Sequence, residues 1–141
     1  MDARLWTVYI DGSAFPNPGR MCIGGIAHAP DGSSRSFSQA LAGSGCNNEA
    51  EALAAIHMLQ WLHAQGARAV LLHTDSSILA EQLGRPSPKR IERLAAVYDQ
   101  ARALVPLFDS LRVQWIPRHR NAVADALARA GALPANADRQ A

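Results

Sequence analysis

The strongest constraint on the fold is a change of texture at Asn48. Before it, short alternating runs are divided by turn residues; after it, no glycine or proline interrupts the chain until Gly66. Trp6, Val8 and Ile10 alternate with Thr7, Tyr9 and Asp11, the period of a strand, and Gly12 followed by FPNPG reads as its end. Residues 22–28 and 35–41 read as two further strands joined by the PDGSS turn, so three antiparallel strands are expected at the front. The Ala, Leu, Glu and Gln of residues 48–66 favour helix. AVLLHT, residues 69–74, is a short apolar run of the kind buried in parallel sheets. Ser76 or Ser77 is placed to cap a short helix ending near Gly84, where RPSPK makes a loop. Residues 89–104 and 121–130 read as helices, with a strand at 110–116 between them. The order βββαβααβα specifies an α/β fold: a mixed five-stranded sheet, three antiparallel strands and then parallel ones, flanked by helices. A chain of 141 residues supports one domain, taken as 1–133, with 134–141 expected to form a flexible tail.

Composition narrows the function classes. Hydrophobic residues at 48% and charged residues at 18% are ordinary for a soluble globular chain. Cys22 and Cys46 lie far apart with no CxxC, which argues against a disulfide framework or a thiolate zinc site and for a reduced, cytoplasmic compartment. MDARLWTVYIDGS has neither the basic nor the apolar region of a secretory signal, so none is expected. No apolar run approaches the ~20 residues of a membrane span. The net charge of +2 is compatible with a polyanion without arguing for one. No GxxxxGK(S/T) occurs, which speaks against a nucleotide-hydrolysing loop.

Two glutamates in NNEAEALAAIHMLQWL differ in address. On a helix, Met58, Leu59, Trp61 and Leu62 span one arc with Ala54 and Ala55 inside it, and Glu51 projects into its middle. Glu49 lies opposite, with His57, Gln60 and His63. Leu53 and Ile56 fall among the polar positions, so the stripe is imperfect. A carboxylate aimed at a core needs a cation, a donor network or a raised pKa; taken alone, Glu51 is better explained as a first-turn acid favoured by the helix dipole. Asp11 falls at the end of the first strand, on the Thr7 and Tyr9 face. Asp75 ends AVLLHT, where α/β sheets present ligand-binding groups, although helix capping would also explain it. Asp125 sits in the last helix about 160° from an apolar stripe of Val123, Leu127 and Ala130, where an i,i+4 pair with Arg129 is its plain explanation. Four such carboxylates at element ends or turns suggest one acidic site.

At these residues the sequence resembles type 1 ribonuclease H. DGSAFPNPG is similar to the family's first-strand aspartate and Asn-Pro-Gly turn. NNEAEALAAI resembles its Asn-Asn-x-x-Glu-Leu helix start, which selects Glu51 over Glu49. TDSSIL resembles the Thr-Asp-Ser closing the fourth strand, and IPRHRNAVADALARAG the final Asn-x-x-x-Asp and Leu-Ala. The matches occur in family order across residues 8–131. The resemblance implies a metal-dependent endonuclease that hydrolyses the RNA strand of RNA–DNA hybrids and leaves 5′-phosphate and 3′-hydroxyl ends, with Mg²⁺, or Mn²⁺, as cofactor. Asp11, Glu51, Asp75 and Asp125 would be both catalytic residues and metal ligands. Two ions roughly 4 Å apart serve an in-line displacement, and Mg²⁺ prefers hard oxygen donors. Asp11 would bridge them, Asp125 serving the ion on the water side and Glu51 and Asp75 the ion at the leaving group. Asn17, Asn47 and Asn48 would meet the hybrid's minor groove, where 2′-hydroxyls mark the RNA strand, and Ser76 would assist near Asp75; turn and cap chemistry is the alternative for each. The hybrid is the expected partner, and a monomer away from membranes the expected state.

The chain departs from the family pattern in two places. LGRPSPKRIERLAAVYDQ stands where some members carry a basic protrusion, which reads as absent, as in the archaeal-type and plant-like short forms. His119 lies in a compact PRHRN turn close before Asp125, so the mobile histidine of longer members is only an auxiliary assignment. A non-catalytic nucleic-acid-binding module remains an alternative that the four retained carboxylates disfavour. Another metal nuclease of the same superfamily, resolvase- or integrase-like, is disfavoured by DGSAFPNPG and NNEAE.

Overall fold

The computed structural model describes residues 3–131; the tail expected at 134–141 lies outside the described residues. Three strands open the fold: β1 (Leu5–Phe15), β2 (Gly19–His28) and β3 (Ser34–Gly45). After them come α1 (Asn47–Ala64), β4 (Ala69–Thr74), α2 (Ser77–Gly84), α3 (Ala95–Leu104), β5 (Ser110–Trp115) and α4 (Ala122–Gly131). The strands form one five-stranded sheet in the order β3-β2-β1-β4-β5. β1 pairs antiparallel with β2, and β2 with β3, whereas β4 runs parallel to both β1 and β5. The expected order and mixed sheet are what the chain forms.

The alternating first strand supplies Val8 and Ile10, both fully buried, to a core completed by Ile23, Met58, Leu59, Leu62, Val70, Leu72, Leu79 and Tyr98. α1 packs on β1 and β2 and also against α2 and α3. That double cover explains its imperfect stripe: Ile56 is buried and Leu53 half-buried, because the face away from the sheet meets α3 rather than water.

Two boundaries and one buried face differ from the sequence reading for physical reasons. β1 does not stop at Gly12 but runs to Phe15. A Cβ on Gly12 would run into the Ala50 carbonyl and come within 2.7 Å of the Glu51 amide nitrogen. The glycine admits α1 against the strand and does not break it. The helix expected from residue 89 begins only at Ala95, after a 3₁₀ turn at Glu92–Leu94. Before it, Gln82 Nε2 donates to the Lys89 carbonyl at 2.7 Å, which fastens that segment to α2 as a loop. In α4 the buried positions are Ala124 and Ala128, and Val123 is 57% exposed. The helix lies on β2 at Gly24, where only small residues fit.

Candidate metal centre

The β1–β4 pairing sets the first two carboxylates side by side. Tyr9 lies opposite His73 in the parallel register, and carrying it on by two residues brings Asp75 beside Asp11. The turn of α1 seated on Gly12 brings in Glu51, and the first turn of α4 carries Asp125. One carboxylate oxygen each from Asp11, Glu51 and Asp75 lies within 4.8 Å of the others. Asp125 lies close enough to Asp11 for its charge to act on it, and its Oδ2 takes a 3.0 Å contact from Arg129 Nη2.

Asp11 and Glu51 are 6% and 7% exposed, and both sit among like charges. Burial, the Asp75 carboxylate and the hydrogen bond and charge of Asp125 push the Asp11 carboxyl up to about 7, against the lowering effect of a hydrogen bond from Glu51. Glu51 is pushed well above the ordinary range, first by desolvation, then by Asp11 and Asp75. Its Oε2 is buried with no hydrogen-bond partner. The inward glutamate thus lies among other acids, with one buried oxygen that lacks a donor. Glu49 is only half-buried at the other side of the same helix start.

Other side chains hold the acids in position. Asn121, 2% exposed, donates from Nδ2 to the Ile10 carbonyl at 2.8 Å and to Asp75 Oδ2 at 3.1 Å, tying the approach to α4 to β1 and the cluster. Trp115 Nε1 donates to the Asp75 carbonyl at 3.1 Å. Sequence reasoning gave neither residue a place in the site. The available signal for Asn121 was its place as the asparagine of the Asn-x-x-x-Asp match; its side-chain bonds are long-range.

The other expected site residues divide. Asn47 Oδ1 accepts from the Ala14 amide at 2.7 Å, and Asn17 Oδ1 accepts from the Asn47 amide at 3.0 Å. These bonds clamp the 15–19 turn to the start of α1 and use the amide oxygens, so each NH₂ group is without a partner among the described residues. Asn48 is half-buried in the first turn of α1. Ser76 caps α2 by accepting from the Leu79 amide at 3.1 Å. His119 is exposed in the 3₁₀ turn Arg118–Arg120 and lines a cleft of about 320 Å³ with Tyr9, His28 and Asn121; the metal-ligand cluster among the described residues does not include it. Arg85 pairs with Glu81, and Arg90 with Glu92 and Asp99, so these cations are partly neutralised within the fold.

A family model described as reverse transcriptase-like matches residues 10–131, from the first strand to the end of α4. The chain is 31% identical over 120 residues to ribonuclease HI of Halobacterium salinarum, covering 85% of this chain and 60% of that protein. It belongs to the type 1 ribonuclease H family. It is also 32% identical over 119 residues to the bifunctional protein Rv2228c of Mycobacterium tuberculosis, covering 84% of this chain and 33% of that protein. The chain thus spans about a third of the length of its mycobacterial relatives. Among solved structures, ribonuclease H1 from Halobacterium salinarum superposes with a TM-score of 0.82 at 29% identity, over 91% of this chain and 97% of that one. LC11-RNase H1, solved in complex with an RNA/DNA hybrid, superposes with a TM-score of 0.78 at 26% identity, over 89% and 94%. The described residues contain no helix long and apolar enough to cross a membrane.

Proposed function

We propose that this ribonuclease H-type chain is a divalent-metal-dependent endonuclease that hydrolyses the RNA strand of RNA–DNA hybrids, leaving 5′-phosphate and 3′-hydroxyl ends. The observation that carries the reading is the Asp11, Glu51 and Asp75 cluster, with oxygens within 4.8 Å of one another and Glu51 Oε2 buried without a partner. An unpaired buried polar atom costs about 1–3 kcal/mol, more when charged, and a hard cation removes that cost where a protein donor is missing. The donor set is all oxygen, which suits Mg²⁺ and accommodates Mn²⁺ but not softer metals. Asp11, Glu51 and Asp75 would hold one ion, and Asp11 with Asp125 a second. When bound, the ions supply Lewis acidity toward the attacking water and neutralise charge at the departing 3′ oxygen.

The chain's own residues fix where this happens. Gly12 sets the depth of Glu51, Asn121 holds the Asp75 carboxylate, and Trp115 holds the Asp75 backbone. The free amide NH₂ groups of Asn17 and Asn47, with Asn48, face outward as donors for the minor groove, where a 2′-hydroxyl separates RNA from DNA. Ser76 serves the site by starting α2 directly after Asp75, and His119 stands outside the reacting centre.

The test is cleavage of an end-labelled hybrid with Mg²⁺ and with EDTA, with product ends mapped and a DNA duplex and double-stranded RNA run in parallel. Metal-dependent cuts confined to RNA in the hybrid are expected. Tight hybrid binding without any cleavage would return the chain to the class of non-catalytic binding modules.

A further inference from the structure

β5 forms one edge of the sheet, because the strand order ends on it. Two bonds settle which way its backbone faces. The Ser110 amide donates to the Arg68 carbonyl at 3.1 Å, and the Ile116 amide to the Thr74 carbonyl at 2.9 Å. In a parallel pair, residues bonded to the neighbouring strand alternate with residues whose N–H and C=O point away from it. Counting by twos from Ser110 to Ile116 turns Arg112 and Gln114 toward β4. The backbone groups of Leu111 and Val113 then face outward, where no further strand stands among the described residues. Such an edge is a template for another chain.

Beside this edge lies a cleft of about 570 Å³. Leu83 of α2 and Val105 and Pro106 after α3 line it, together with Leu111 and Val113, which are half-buried against the core. By strand alternation Arg112 belongs to the other face of β5, and it is exposed. Arg85 and Arg102 also line the cleft. Arg85 pairs with Glu81 at 2.9 Å. Arg102 donates only to the Pro86 carbonyl, at 3.2 Å, and neither it nor Arg112 has a carboxylate partner among the described residues. Three guanidinium groups against one carboxylate leave this edge positively charged.

We propose that the β5 edge is a docking site for an acidic peptide segment of a partner protein, bound in extended form as a sixth strand with acidic and apolar residues in alternation. The alternation follows from the edge itself. Residues of an added strand beside Leu111 and Val113 meet an apolar surface, whereas those on the other face meet Arg112. Strand addition draws its affinity from main-chain bonds and its specificity from alternate side chains. Charge selects the occupant. A second copy pairing through the same edge would set Arg112 against Arg112, and like charges across a strand pair repel. A nucleic-acid duplex has no backbone amides to pair with a strand. The site shares no residue with the acid cluster and does not rest on the nuclease reading.

The experiment titrates the full chain, in EDTA and without nucleic acid, into fluorescein-labelled Leu-Asp-Leu-Asp-Leu-Asp and follows anisotropy. Saturable one-site binding is expected, with the counterpart carrying lysine for aspartate at least ~10-fold weaker. Arg112→Glu, checked for an unchanged melting temperature, should lose at least ~10-fold. Two further peptides carry N-methyl groups, one on the leucine amides and the other on the aspartate amides. One of them should bind at least ~10-fold more weakly, having lost its pairing donors. In the isotope-labelled chain, amide exchange read by NMR should slow at Leu111 and Val113 on binding. No saturation by ~1 mM peptide, equal binding of the lysine peptide or full affinity in Arg112→Glu overturns the proposal. Undiminished binding of both N-methylated peptides, or unchanged exchange at Leu111 and Val113, overturns strand addition. Protection of those two amides by dimerisation of the chain, or by an RNA–DNA hybrid, overturns the acidic peptide as occupant.

Discussion

Asp11→Asn should make the metal-free protein more stable at neutral pH, by an amount set by the burial of this carboxyl. Its pKa is pushed from the ordinary 3.8 to about 7. A pKa raised by folding contributes stability that is complete below the unfolded value and lost as pH rises through the folded one. The loss therefore runs from about pH 4 to about pH 7. Three units at about 1.36 kcal/mol each give a ceiling of about 4 kcal/mol. Asparagine removes the ionisation but serves Glu51 and Asp125 less well, so about half the ceiling, ~2 kcal/mol, is expected at pH 8. For a domain of this size that is about 8 °C in melting temperature. Urea denaturation in EDTA at pH 8 and at pH 4 measures it: the variant gains at pH 8, and the difference reverses at pH 4, where only the cost of asparagine's poorer contacts remains. Mg²⁺ should then raise the wild-type midpoint more than the variant's, because binding to the folded state alone stabilises it. A variant less stable than wild type at pH 8, or a gain independent of pH, would refute the argument and make Asp11 a structural residue.

Glu51→Gln should lower cleavage by orders of magnitude with the fold intact, whereas Glu49→Gln stays within about twofold; steady-state cleavage and circular dichroism decide, and the reverse result would falsify the assignment of the ligand on α1. His119→Ala should lower kcat less than ~10-fold, because a general acid–base contributes roughly 10²–10⁴; a hundredfold fall at unchanged affinity would place proton transfer in the 3₁₀ turn. Gly12→Ala should cost about 1–3 kcal/mol in urea denaturation by overpacking, and wild-type stability would show that α1 does not rest on that position. With Arg85 and Arg90 already paired to acids, the slope of log K against log salt for hybrid binding should be shallow, each neutralised phosphate adding about −0.9; a slope near −9 would reveal a basic platform.

The sheet was legible because its evidence is local. Period-two runs and the AVLLHT stretch give the strands, and the composition of 48–66 gives α1. Helical geometry alone aimed Glu51 at the core, but all four carboxylates had a bland explanation that only motif resemblance outweighed. Long-range contacts were not legible. Nothing in DGS distinguishes a glycine that ends a strand from one that admits a helix, and Ala50 lies far from Gly12 in sequence. The stripe Val123, Leu127 and Ala130 was chosen for side-chain size, yet the surface opposite α4 is a glycine and rewards alanine. Asn121 reads as the first residue of the last helix until Ile10 and Asp75 are seen beside it.

The contact under α4 divides the site mechanically. Asp11 sits on β1 and Asp75 directly after its parallel partner β4, and Glu51 is held by a helix enclosed on two sides. Asp125 rides on a second helix whose height above the sheet is set by backbone touching backbone, at a different glycine: a Cβ on Gly24 would strike the Ala128 amide and lie 2.8 Å from the Ala124 carbonyl oxygen. Gly24 lies opposite Asp11 in the β1–β2 register, so it acts as a spacer between the fourth carboxylate and the other three. A methyl group there would lift Asp125 while leaving the trio intact, separating the ability to hold one ion from the ability to hold two.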